Sequence, residues 1–263
     1  MKPFHTLCLA AVAVLAAFAT PVRAQVSVVS STLEERQAAP GERYTAAVRL
    51  RNTSSQPQVA RVYQTDYRFL ADGRTFYEQP GTAARSNAAW VQFNPSQLTL
   101  GPGEETSVSY TVAVPDGVHG SYWSVLMVET AQQRPARAAQ NGLGVTPGIR
   151  YAVQLATHVG QAERRVALEG ARLTGEAGGA RYLEVDVVNT GEHADRLELR
   201  VDLFDAEGTP AGRLARSRGL VYPGSSIHER FDLPTLPPGT YRALLVVDTG
   251  ADEVFGAEYT LRL

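Results

Sequence analysis

The chain is almost without lysine and cysteine: of its 25 basic residues only Lys2 is a lysine, and its one cysteine is Cys8. Both fall in the first 24 positions, where Lys2 and His5 precede an uncharged apolar run over 7–18 and Val22-Arg23-Ala24 supplies the small-x-small pattern of a leader cleavage site. That run is too short to cross a bilayer as an ordinary helix, and no second run of about 18 apolar residues follows. These features predict a signal peptide over 1–24, cleaved after Ala24, and an exported product with no membrane anchor.

Each absence excludes something. Without Cys8 the exported chain has no disulfides, which favours a bacterial periplasm or surface and domains large enough to rely on their cores. With Lys2 gone, arginine is the only basic side chain, which fits an arginine-rich codon usage. Loss of Lys2 and Arg23 lowers the 25 basic residues by two against 27 acidic ones, a net charge of −4. That argues against nucleic acid and against a polybasic membrane contact, both of which need a concentrated positive field. There is no Gly-x-Ser-x-Gly elbow, no His-Glu-x-x-His and no glycine-rich phosphate loop, so the chain is read as a non-enzyme without cofactor or metal. His119, His158, His193 and His228 are isolated in sequence and are expected to lie in turns or on the surface. Asp202, Asp205 and Glu207 lack the glycine and downstream glutamate of a calcium loop and read as a hairpin turn.

What is present is a duplicated pattern. Gly101-Pro102-Gly103, Val114-Pro115, Gly120-Ser121-Tyr122 and Ser124-Val125-Leu126-Met127-Val128-Glu129 return as Tyr222-Pro223-Gly224, Leu233-Pro234, Gly239-Thr240-Tyr241 and Ala243-Leu244-Leu245-Val246-Val247-Asp248. The offset is 121 positions from Pro102 to Pro223 and 119 from Glu129 to Asp248, a period of whole-domain length. Alternating apolar and polar residues in Thr45-Ala46-Ala47-Val48-Arg49-Leu50, Ser107-Val108-Ser109-Tyr110-Thr111-Val112 and Tyr182-Leu183-Glu184-Val185-Asp186-Val187 mark half-buried strands, and helix signals are nearly absent. Tight turns show at Asp72-Gly73 and Asp205-Ala206-Glu207-Gly208. The fold class is therefore all-β, with two tandem immunoglobulin-like sandwiches at 25–160 and 163–263.

The two copies also differ. Thr53 and Pro102 lie 49 positions apart, whereas their counterparts Thr190 and Pro223 lie 33 apart, so the first domain carries extra structure over 66–90. It also inserts 131–148, read as a long loop, where the second domain has the short turn at Asp248-Thr249-Gly250. After this insertion Ile149, Tyr151, Val153 and Leu155 alternate along one face. They read either as a final strand facing its own core or as an edge strand whose main chain pairs with an incoming segment.

The run Gln92-Phe93-Asn94-Pro95 to Gly101-Pro102-Gly103-Glu104, the strand and Gly120-Ser121-Tyr122-Trp123 that follow, the long loop and the alternating strand resemble the first domain of PapD-like periplasmic pilus chaperones. The resemblance implies two immunoglobulin-like domains joined in an L, no catalysis, and a strand lent to a pilin-like subunit by Ile149, Tyr151, Val153 and Leu155. The family anchors a subunit's terminal carboxylate with an arginine near the first strand and a lysine on the lent strand. This chain departs there: Thr157 or His158 stands where a basic residue is expected, and Arg150 and Arg36 are the candidate replacements. WxL-interacting cell-surface proteins are similar through Pro238-Gly239-Thr240-Tyr241. The function expected is a periplasmic, chaperone-like assembly factor. The alternative is an envelope or cell-surface module that binds cell wall or a surface protein through 66–90.

Overall fold

The computed structural model describes residues 26–130, 149–176 and 179–263; the expected signal peptide and the 131–148 loop lie outside the described residues. The strands form two sandwiches. In the first, β1 (Val26–Val28), β3 (Arg43–Asn52), β8 (Glu105–Ala113) and β6 (Val91–Asn94) make one sheet in the order β1-β3-β8-β6. The facing sheet runs β2 (Leu33–Ala38), β10 (Arg150–Val159), β9 (Gly120–Thr130), β4 (Gln58–Phe69) and β5 (Thr75–Glu78), with β7 (Gln97–Leu100) also on β4. The opening stretch of chain thus divides between the sheets, β1 antiparallel to β3 and β2 parallel to β10.

The second sandwich pairs β11 (Val166–Gly175), β12 (Arg181–Asn189) and β15 (Ser226–Asp232) against β14 (Pro210–Val221), β13 (Asp195–Phe204), β16 (Thr240–Asp248) and β17 (Val254–Arg262). Each sandwich has its own core, around Leu50, Leu100, Val108, Leu126 and Val153 in the first and Leu183, Leu199, Val201, Phe231 and Leu245 in the second. These side chains come from alternate positions of their strands, as a two-residue period requires.

The repeated motifs meet in space. Asn52 is fully buried, and its Nδ2 donates to the carbonyls of Leu100 and Gly101, both at 3.0 Å. Asn189 repeats the corner, donating to Val221 O at 2.8 Å and His193 O at 2.7 Å. The Asn-Thr and Pro-Gly landmarks are two sides of one hydrogen-bonded corner, present once per domain. Gly103 (φ +73°) and Gly224 (φ +75°) take the left-handed conformation that the turn beside it demands.

The added segment 66–90 starts as the hairpin that the sequence predicts, with Asp66↔Glu78 to Phe69↔Thr75 in register and Gly73 at φ +83°. Its return is pinned by Asp66, whose buried carboxylate accepts the N–H groups of Gly81 (3.1 Å), Thr82 (2.8 Å) and Ala83 (2.7 Å) and the Ser86 hydroxyl (2.5 Å). At the second predicted turn Asp205 Oδ1 accepts the N–H groups of Glu207 and Thr209, while Asp202 lies between Arg200 and Arg213.

Candidate partner-binding edge and the joint between domains

Strand β10 is paired on one side along its whole length, from Arg150↔Glu129 to Val159↔Gly120. On its other side β2 covers only Gln154↔Leu33 to Val159↔Ala38, and the Gln154 N–H reaches Thr32 O at 2.9 Å. Positions 150–153 have no strand on that side among the described residues, which leaves about 13 Å of open edge. Backbone groups alternate sides along a strand, so the N–H and C=O of Arg150 and Ala152 point the way Gln154 does, into the open edge.

The four side chains singled out by alternation separate here. Val153 (0% exposed) and Leu155 (2%) belong to the first sandwich's core, against Leu126 and Val128. Tyr151 is half-buried beside them with its hydroxyl 3.4 Å from Ser27 Oγ, and Ile149, just ahead of the strand, is exposed. The strand is thus a core strand at one end and an edge strand at the other.

The two arginines do not converge. Arg36 is level with Thr157 and Arg150 lies seven residues away along β10, about 23 Å, too far to grip one carboxylate together. Arg36 lies over the Tyr44 ring, 3.7 Å from Glu42, while Arg150 Nη1 reaches the Tyr63 hydroxyl at 3.5 Å, which donates onward to Glu129. Thr157 is buried between the Tyr44 hydroxyl (2.8 Å) and Asn87 Nδ2 (3.2 Å), a neutral hydrogen-bonded cluster, and burial pushes the Tyr44 pKa up.

The outer face of the β2-β10-β9-β4-β5 sheet carries the second domain. Trp123 stacks on Tyr222 with ring centroids 4.5 Å apart and planes 17° from parallel, and Tyr67 and Phe69 meet Tyr222 edge-on. Tyr222 is fully buried, donates its hydroxyl to Gln154 Oε1 at 2.7 Å, and has its pKa driven well up by burial. Trp123 Nε1 donates to Tyr67 O at 2.6 Å. Two hydrogen bonds cross the joint, one between backbones from Ser121 N to Glu192 O (2.9 Å) and one from Ala194 N to the Ser121 side-chain Oγ (2.8 Å).

Segment 66–90 turns towards this joint. Phe69 packs on Tyr222, the Ala71 N–H reaches Ser226 Oγ at 2.9 Å, and Arg85 pairs with Glu192 at 2.5 Å. Beside the joint runs an open groove of about 670 Å³ between Leu33, Tyr67 and Phe69 on one domain and Leu220 and Ile227 on the other. Its guanidinium, Arg218, is held by both oxygens of the buried Glu229.

Of the histidines expected in turns or on the surface, His158 lies instead in strand β10, and it is buried in the joint together with His193, which does lie in a bend. His158 (3% exposed) and His193 (9%) stack across it with centroids 5.0 Å apart. They sit in different domains, 35 positions apart, so isolation in sequence concealed a contact that only docking creates. The joint had a legible trace in the repeat: Trp123 stands where the second copy has Arg242, and Tyr222 where the first has Gly101. Strand β9 gave another, since Trp123, Val125 and Met127 are buried on its outer face and Leu126 and Val128 on its inner, a continuous apolar run with two covered faces.

No protein-family model matches the sequence, and no curated protein matches it. Solved structures do. A chain of a chaperone–tip adhesin complex of CFA/I fimbriae biogenesis is 10% identical, with 90% of this chain and 98% of that one covered and a TM-score of 0.50. The fold is that of the PapD-like fimbrial chaperones. The class 5 fimbriae chaperone CfaA is 12% identical over 90% of this chain and 100% of its own, with a TM-score of 0.46. The Pseudomonas aeruginosa CupB2 chaperone is 15% identical over 89% and 98%, with a TM-score of 0.41. The PapD-like likeness read from 92–129 and the following strand is thus one of fold over nearly the whole chain, both sandwiches included.

Proposed function

We propose that this chain is a non-enzymatic, periplasmic assembly chaperone that captures a pilin-like or surface subunit by pairing an extended segment with the open edge of β10. The observation that carries this reading is the stretch 150–153, unpaired on one side among the described residues, in a strand whose continuation is covered by β2. An incoming segment gains main-chain hydrogen bonds from Arg150 and Ala152 and side-chain contact with Ile149 and Tyr151. Val153 and Leu155 hold the edge in place from within the core. Arg150 is the cation placed at that edge. The fimbrial chaperone fold supports the role and the absence of catalysis alike. The alternative, a module touching cell wall through 66–90, has less support, because Phe69, Ala71 and Arg85 are engaged with the second domain.

The test is Ala152→Pro, which removes an N–H directed at the open edge and leaves the β9 side of the ladder in place. Co-expressed with a pilin-like subunit that the unaltered chain captures, the variant is expected to fold with unchanged circular dichroism and to lose co-purified subunit at least about tenfold, the equivalent of one net hydrogen bond. Undiminished capture by a folded variant rejects pairing at this edge.

A further inference from the structure

We propose that the stacked His158 and His193 are an acid-sensitive latch between the two domains, closed when the rings are neutral and opened by proton uptake. His158 projects from β10 and His193 from the loop before β13, and each is buried by the other's domain. Ser121 Oγ on β9 accepts the Ala194 N–H at 2.8 Å and lies 2.8 Å from His158 Nδ1. With the ring proton of neutral His158 on Nε2, the nitrogen that faces Glu35, Nδ1 is bare and takes the Ser121 hydroxyl proton. A ring protonated on both nitrogens has no lone pair to receive it, and the hydroxyl, fully buried, is left without an acceptor.

The surrounding carboxylates favour a protonated ring, but each is already engaged with an arginine and offsets a new charge only in part. Glu35 on β2 lies 3.7 Å from His158 Nε2, but both of its oxygens are held by Arg196 of β13. Asp195, 2.7 Å from His193 Nδ1, is shared with Arg164 of the linker at 2.9 Å. Glu192 pairs with Arg85 and with His119. Three acids thus face three arginines before either ring takes a proton. Two cationic rings 5.0 Å apart then repel each other with an energy several times RT at the effective dielectric of a protein interior. Burial and the neighbouring His193 hold the His158 pKa below its ordinary value, which sets the opening on the acid side of neutrality. The contacts nearest the latch are the Ser121–Glu192 and Ser121–Ala194 bonds, followed by the Trp123–Tyr222 stack.

The full chain reports on itself, since Trp123 emission changes when Tyr222 leaves it. Radius of gyration by small-angle scattering and Trp123 emission in a Trp90→Phe background are to be followed from pH 8 to pH 5, with circular dichroism as the measure of retained β-structure. The expected result is a rise in radius and a red shift of emission centred below about pH 6.5, with the sheets intact. His158→Gln keeps a hydrogen-bonding group beside Ser121 but cannot titrate, so it is expected to abolish the transition, as is His193→Gln. A radius that stays constant down to pH 5, or a transition preserved in both single variants, overturns the latch. Scattering alone decides if the Trp90→Phe background fails to fold.

Discussion

Asn52 and Asn189 close equivalent corners of the two sandwiches, and their burial explains why two small polar residues recur at strand ends. Each amide satisfies carbonyls of a turn that no ladder reaches. Asn189→Ala leaves the carbonyls of Val221 and His193 without their donor, at a cost of about 1–3 kcal/mol each. Denaturant unfolding checks this, and a loss below about 0.5 kcal/mol would place the corner among neutral surface positions. Val153 makes the complementary case. Its side chain is 0% exposed, so Val153→Asp is expected to unfold the first domain, whereas Ala152→Pro next to it disables only the edge. Tyr151, Val153 and Leu155 share the core-facing side of β10 as alternation implies, with Ile149 exposed ahead of the strand, but a face does not say which part of a strand has a neighbour. That depends on where β2 begins, which is a tertiary fact.

Among the elements, segment 66–90 best shows how a local motif acquires a non-local role. Its hairpin is legible from Asp72-Gly73, and its size from the longer spacing of landmarks in the first domain. Its orientation is set by Asp66, which gathers three backbone amides and the Ser86 hydroxyl. Hydrogen bonds to a charged acceptor are each worth about 1.5–3 kcal/mol. Asp66→Ala is therefore expected to speed hydrogen exchange at the Gly81, Thr82 and Ala83 amides by at least about tenfold, with β4 and β9 protected as before. Unchanged exchange at these amides would show that the hairpin and Arg85 hold the segment without Asp66.

For the whole molecule, the decisive contact is the face of one sandwich against the other. Removing Trp123 takes away an aromatic stack and the bond to Tyr67 O, a Trp→Ala loss of about 3–5 kcal/mol at a well-packed site. Because that site joins two separate cores, Trp123→Ala is expected to split unfolding into two calorimetric transitions; a single transition with little change in midpoint would mean that the polar contacts couple the domains unaided. Stability also follows His158. Its folded-state pKa lies below the ordinary value, so the unfolded chain binds the proton first, and its contribution is full above about pH 6.5 and declines as the pH falls through the folded-state value. The open edge at 150–153 and the latch at His158 lie at opposite ends of one strand, so whatever tilts the second domain acts on the element that carries the edge.

The sequence by itself determined the class of fold, the duplication and the turns. Those depend on a period of two, on glycines with positive φ and on spacing, all carried by neighbouring residues. Tertiary structure alone decided which half of β10 is open, that Arg36 and Arg150 lie far apart, and that two distant histidines touch. Each of these depends on which strand ends beside which and on how one sheet face meets a second domain, relations that residues far apart in the chain establish only when both cores are formed.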